Sequence, residues 1–181
     1  MRQLDCGKVI SPAKFAHVVL RTRKLKEAVA WYAEVLGTET VFANDFLAFL
    51  TYDEEHHRIA LIATDEQESA PPGAAGLDHF AYGFDNFGDL MATYKRLRDS
   101  GIRPAWTINH GPTTSFYYED PDRVRIELQV DNFASPEEIN AWVESGAFSQ
   151  NPIGVEFDPD KLLARYEAGD SLGELVLQGS A

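Results

Sequence analysis

The chain has 181 residues, 44% of them hydrophobic and 12% aromatic, which suits one ordinary domain or two small modules sharing a sizeable core. A formal net charge of −13 works against binding a nucleic-acid backbone or an anionic membrane surface, though not against a small anionic substrate. Cys6 is the single cysteine, which excludes an intramolecular disulfide and a cysteine cluster for zinc or iron–sulfur. Cys6 itself reads as an inert residue near a loose terminus. "MRQLDCGKVI" has no signal-peptide core, and no stretch approaches the roughly 18 apolar residues of a membrane span, so a soluble cytoplasmic protein is expected.

In chain order, "KFAHVVLRT" (14–22) reads as a strand with Phe15, His17 and Val19 on one face. A helix from about Lys24 to Leu36 follows, with Leu25, Ala28, Val29, Tyr32 and Leu36 at helical spacing and Gly37 as its stop. "TETVFAN", "FLAFLTY" and "HRIALIA" read as three further strands. "ESAPPGAAG" (68–76) is a link. The pattern then restarts with "LDHFAYGF" (77–84) as a strand and a helix from about Gly88 to Ser100. That helix turns Leu90, Met91, Tyr94 and Leu97 inward and stops at Gly101. "IRPAWTIN", "TSFYYED" and "VRIELQV" close the second set.

His17 and His79 are 62 positions apart, Gly37 and Gly101 are 64 apart, and "RIAL" and "RIEL" are 67 apart. Near-equal offsets indicate two copies of a β-α-β-β-β unit. The fold class expected is therefore α+β. Two tandem modules, about 13–67 and 77–131, make up a domain of residues 1–131. Residues 132–181 form a mostly helical C-terminal extension packed on it. "SPEEINAWVES" (135–145) starts with Ser135 as cap and Pro136 at the first helical position, and "DPDKLLARYEAG" (158–169) repeats the device with Asp158 and Pro159. The final "ELVLQGSA" reads as a short strand or a tail.

A histidine at the same place in both copies draws attention to His17 and His79. In "VRIELQV", Val124, Ile126, Leu128 and Val130 form the apolar face, while Arg125, Glu127 and Gln129 share the other. A charge facing an interior needs a partner, and a divalent cation would serve Glu127, His17 and His79 together. Two imidazoles and one carboxylate suit non-haem Fe(II), with open positions left over; Mn(II) or zinc could take the same ligands.

"NHGPTTSFYYEDPDRVRIE" carries a more specific pattern in His110, Phe116, Tyr117, Asp120, Pro121 and Glu127. Over about residues 13 to 130 the chain resembles the small type I extradiol ring-cleavage dioxygenases of the vicinal-oxygen-chelate, or glyoxalase-like, superfamily. One position departs from that pattern: Arg123 stands where glycine or proline is usual. The resemblance implies that the two modules form a curved, partly open mixed sheet around a metal site, with His17, His79 and Glu127 as metal ligands and His110 and Tyr117 as the pair beside the bound substrate or oxygen. It implies His57 as the histidine near the oxygen site. It also implies Fe(II), with Mn(II) as the alternative metal, a small aromatic diol and O2 as reactants, and a homo-oligomer. Aligning "RIAL" on "RIEL" puts Ala60 where a fourth carboxylate ligand would stand in isomerases of the superfamily, which favours the three-ligand chemistry. Rival readings are another metal-dependent isomerase, lyase or hydrolytic enzyme of this superfamily, or a metal-free module that binds aromatic ligands.

Two smaller expectations remain. Phe46, Phe49, Phe84, Trp106, Phe116 and Tyr118 could wall an aromatic pocket, with plain core packing as the alternative for each. Strict alternation from Ala60 puts His56 on the metal side, whereas the resemblance selects His57; a strand start or bulge reverses parity locally, so His57 is preferred.

Overall fold

A computed structural model describes residue 9, residues 11–65 and residues 75–181. Cys6 and most of the 68–76 link lie outside the described residues. Two compact units divide the chain between Asp65 and Glu66.

In the first unit, β1 (Val18–Thr22), α1 (Leu25–Leu36), β2 (Glu39–Ala43), β3 (Leu47–Thr51) and β4 (Ile59–Ala63) follow one another. The sheet order is β1-β4-β3-β2, with β1 and β4 parallel and the other pairs antiparallel. Thr22 Oγ1 accepts the Lys24 N–H at 3.0 Å as the chain enters the helix. Gly37, at φ 67°, ends α1 by donating to the Ala33 carbonyl, a left-handed position that glycine adopts without a Cβ penalty. Ala28, Tyr32 and Val35 are the buried helix positions, with Leu20, Ala48, Leu50, Ile59 and Leu61 in the same core. Val35, rather than Leu36, completes the inward stripe. Edge strand β2 slips register between Thr40 and Phe42.

The second unit repeats this order with β5 (His79–Gly83), α2 (Phe87–Asp99), β6 (Trp106–Asn109), β7 (Thr113–Glu119) and β8 (Arg125–Asp131). Again the first and last strands of the set pair in parallel and the others antiparallel, in the order β5-β8-β7-β6. Asn86 caps α2 by accepting the Asp89 N–H at 2.9 Å. Phe87, Leu90, Met91, Tyr94 and Leu97 are buried against the strand residues Phe116, Tyr118, Ile126 and Leu128. The α+β architecture of two open mixed sheets is as expected.

Beyond Asp131 come α3 (Pro136–Glu144), α4 (Ala147–Gln150), β9 (Val155–Glu156), α5 (Pro159–Glu167) and α6 (Leu172–Leu175). Ser135 and Asp158 cap α3 and α5, each with proline in the first turn. The "ELVLQGSA" stretch is neither a strand nor a bare tail at its start. Ser171 and Glu174 form a capping box, and that local pairing winds Leu172–Leu175 into a helical turn. β9 extends the second sheet by pairing antiparallel to β6, an addition too short to leave a period in the sequence. Asp160 ties α5 to α2: its carboxylate accepts from Tyr94 Oη at 2.7 Å and from Arg98 and Arg103 at 3.1 and 2.9 Å. Among the described residues no helix is long and apolar enough to cross a membrane.

Candidate functional site

Strand register puts equivalent residues of the two units in matching rows. Across the first sheet run Val19, Ala60, Phe49 and Phe42. Across the second run Ala81, Glu127, Tyr117 and Trp106. Side chains alternate along a strand, so Tyr117 points away from its neighbours Phe116 and Tyr118. Phe116 meets Tyr94 of α2 at a ring separation of 5.1 Å, so the Glu127–Tyr117–Trp106 row lies on the face turned away from that helix.

On that face the Glu127 side chain is only 6% exposed, and its Oε2 lies 3.1 Å from His79 Nε2. The other ring nitrogen of His79, Nδ1, lies 2.7 Å from Asp78 Oδ2. This hydrogen bond holds the Asp78 carboxyl below its ordinary range. A neutral imidazole has one N–H, yet both nitrogens of His79 face carboxylates. If Nδ1–H donates to Asp78, the Nε2 lone pair and the Glu127 carboxylate are left aimed at one place. A proton on a doubly protonated ring would serve them, and so would a divalent cation. A buried carboxylate beside an imidazole nitrogen is a donor pair suited to iron, manganese or zinc, and the Asp78–His79 contact is the orienting partner that a metal-bound histidine ordinarily has.

Tyr117 completes the cluster. Its hydroxyl is 2.9 Å from His110 Nε2, and its ring packs against Trp106 at 4.9 Å and edge-on to His79 at 5.2 Å. Burial, then the nearby Glu127 charge, raises the phenol well above its ordinary range, so it stays protonated through neutral pH. His110 sits in the β6–β7 turn, where Gly111 adopts φ 98°. Its Nδ1 lies 2.5 Å from the Ile153 carbonyl, a tail contact that has no signature in the sequence. Asp78, by contrast, stands next to His79 in "LDHF", and that adjacency to a candidate ligand is the sequence signal for its orienting role.

In the first unit His57 is 8% exposed and its Nδ1 is buried without a hydrogen-bond partner. Its ring stacks on Phe49 at 4.5 Å and meets those of His17 and His56 at 4.4 Å each. Burial first, and then the neighbouring His17 and His56, push its pKa down. His56 is 70% exposed along its side chain and turns to Glu55, 2.9 Å away. Both histidines precede β4, which begins at Ile59, so alternation counted from Ala60 does not reach them. His17 stands just ahead of β1 and is exposed. The Arg58 guanidinium, held by Asp53, donates to the carbonyls of Phe15 and Ala16 at 2.7 and 3.0 Å and fixes the backbone there.

Within either unit, among the described residues, no group of three or more His, Cys, Asp and Glu side chains is placed to hold a metal ion by itself. Two of the expected pocket aromatics are core residues: Phe116 and Tyr118 are fully buried on the helix side of β7, because alternation turns them from Tyr117. Phe49 and Trp106 stand in the rows described above; Phe46 is exposed and Phe84 half-buried. Asp120 Oδ1 accepts the backbone N–H groups of Asp122 and Val124 at 2.9 and 2.8 Å, and Arg123 takes φ 70° in that turn.

Known proteins resemble this chain in sequence and in fold. Biphenyl-2,3-diol 1,2-dioxygenase 2 of Rhodococcus globerulus is 46% identical over 164 residues, spanning 90% of this chain and 86% of its own. Biphenyl-2,3-diol 1,2-dioxygenase 3 of the same organism is 42% identical over 170 residues, spanning 93% and 90%. A glyoxylase/bleomycin resistance protein/dioxygenase domain from Frankia sp. EAN1pec superposes with a TM-score of 0.59 at 20% identity, over 71% of this chain and 99% of that one, a likeness of fold. Residues 14–128, from just ahead of His17 to just past Glu127, match the profile of one family, and the chain belongs to it: the Glyoxalase/Bleomycin resistance protein/Dioxygenase superfamily.

Proposed function

We propose that this enzyme, an extradiol dioxygenase, is Fe(II)-dependent and uses O2 to open the ring of a catechol-type substrate beside its vicinal hydroxyls. Aryl-substituted diols are the first substrates to try, given the names of the two Rhodococcus relatives. The observation that carries the reading is the buried Glu127 carboxylate facing His79 Nε2 and flanked by the Tyr117–His110 pair. His17, His79 and Glu127 are the proposed ligand set, with His17 assigned by its place in the repeat; Mn(II) is the alternative ion. When bound, the ion supplies redox chemistry and adjacent open positions at which a diol and dioxygen can meet.

The chain's own residues then have distinct tasks. Tyr117 and His110 hold a proton path at 2.9 Å, and His110 Nε2 can take the proton that a diol hydroxyl gives up on binding. Trp106 covers one face of Tyr117 and keeps water from it. Asp78 orients the His79 ring. His57, when protonated, can stabilise negative oxygen as the ring opens and then donate a proton; its buried Nδ1 has no other hydrogen-bond partner. Against the isomerase reading, Ala60 takes in β4 the register place of Glu127 in β8 and cannot coordinate.

The test is anaerobic loading with Fe(II), then addition of catechol, methylcatechols, 2,3-dihydroxybiphenyl and homoprotocatechuate while oxygen uptake and yellow product are followed. Uptake matched one-to-one by ring-opened product is expected for at least one diol. A fully loaded protein that consumes no oxygen with any of them overturns the activity. Stoichiometric iron retained by His79→Ala or Glu127→Ala overturns the ligand set.

A further inference from the structure

The C-terminal extension reaches the candidate site through a backbone atom. β9 pairs with β6 so that Val155 lies opposite Asn109, and the residue that follows Asn109 is His110. Three contacts hold the tail there. Asn109 donates from Nδ2 to the Val176 carbonyl at 2.8 Å, Gln178 donates to the Asn109 carbonyl at 2.9 Å, and Thr107 Oγ1 donates to the Phe157 carbonyl at 2.7 Å. The approach is close enough to require glycine at position 154. A Cβ there would come within 2.3 Å of the Asn109 carbonyl oxygen and 2.8 Å of His110 Cα, backbone atoms with nowhere to go, and Gly154 also sits at φ 112°. Asn151 brackets the same peptide, accepting the Gly154 N–H at 3.0 Å and donating to its carbonyl at 2.7 Å.

The result is that the Ile153 carbonyl meets His110 Nδ1 at 2.5 Å. A carbonyl only accepts, so Nδ1 must carry the hydrogen. In the neutral ring Nε2 is then the bare nitrogen, and it faces Tyr117 Oη. The reverse tautomer would set two lone pairs against each other at Ile153. We propose that Gly154 and the Ile153 carbonyl are positioning elements of the active site: the tail selects the His110 tautomer whose Nε2 can accept a proton from the diol.

This rests on the dioxygenase reading for its use, but its test does not. The metal-free protein, labelled with 15N at histidine, is examined by long-range 1H–15N correlation at a pH where His110 is neutral. The wild type is expected to show His110 as the Nδ1–H form. In Gly154→Ala and in the milder Asn151→Ala, the ring shifts towards the Nε2–H form, and kcat of the iron-loaded enzyme falls roughly 10- to 100-fold, the range for loss of an orienting partner, with KM changed less. An Nε2–H ring in the wild type overturns the proposal. So does an unchanged Nδ1–H ring in both folded variants. If wild type turns over no diol yet its ring is Nδ1–H and unlocks in the variants, the tautomer device stands and the activity assignment fails.

Discussion

Ala60 holds in β4 the register place that Glu127 holds in β8: Ala60 pairs with Val19 and Phe49, Glu127 with Ala81 and Tyr117. One copy of the repeat thus carries a carboxylate where the other carries a methyl group. Replacing Ala60 with glutamate is expected to destabilise the metal-free protein by about 3 kcal/mol, since the site is buried and the new charge has no partner. If the ligand set is right, zinc raises the melting temperature of Ala60→Glu more than that of the wild type, and oxygen uptake by the iron form collapses. Ala60→Gln, which adds the same bulk without the charge, should be less destabilised and show no such zinc response. Differential scanning calorimetry with and without metal reads both.

The two adjacent histidines should separate cleanly. His57 is buried on Phe49, whereas His56 turns outward to Glu55. His57→Ala is expected to lower kcat by ~100-fold, typical for loss of a general acid, while iron content stays near one per chain. His56→Ala should leave both unchanged. A larger loss in His56→Ala would reassign the roles.

Arg123 is the described non-glycine residue with positive φ, at 70° in the turn between β7 and β8. A side chain in the left-handed region costs roughly 1–2 kcal/mol, and glycine gives back part of that gain through its freer unfolded chain. Arg123→Gly is therefore expected to raise stability by up to about 1 kcal/mol in urea titration, with turnover unchanged. Arg123→Ala should gain nothing, since it keeps the Cβ.

Asp160 sets the acid behaviour of the extension. Hydrogen bonds from Tyr94, Arg103 and Arg98 lower its pKa from 3.8 to about 2. A carboxylate depressed on folding stabilises the fold above its unfolded pKa, and that contribution is lost as pH falls from about 4 through about 2. The side chain is half exposed, so solvent screening keeps the effect below about 1 kcal/mol. Tyr94 mirrors it at high pH. Burial and the Asp160 contact raise it from 10.0 to about 12, so its contribution is full below pH 10 and is lost as pH rises through about 12. Asp160→Asn is expected to flatten the stability–pH curve over the acid window, read by thermal melts from pH 2 to 5.

Much of this fold was legible because both copies punctuate themselves alike. Gly37 and Gly101 take positive φ where the helices end, and the "RIAL" and "RIEL" strands each pair in parallel with the first strand of their unit. Alternation also separated Glu127 from the apolar face of β8. It failed where pairing rather than pattern decides. In "SFYYE" the sequence offers Phe116, Tyr117 and Tyr118 side by side, and only the register of β7 on β8 shows that Tyr117 alone shares the Glu127 face. The two residues of β9 are too few to show a period, and they are a strand because Asn109 and Ile108 hold them. The Ile153 contact is a main-chain atom, which no side-chain pattern can announce.

The two sheets also treat the same exposed flank differently. In each unit the second strand of the repeat, β2 or β6, would end the sheet and offer its unpaired N–H and C=O groups to any passing chain. β2 remains at the margin, and the register slip between Thr40 and Phe42 breaks the regular ladder that a foreign strand would need. β6 keeps a regular ladder and is shielded instead by β9, with Trp106 Nε1 donating to Glu156 at 2.7 Å across the seam. A chain cut after Asp131 would therefore bare a straight, four-residue strand carrying Trp106 and Ile108, and its failure would be self-association rather than simple unfolding.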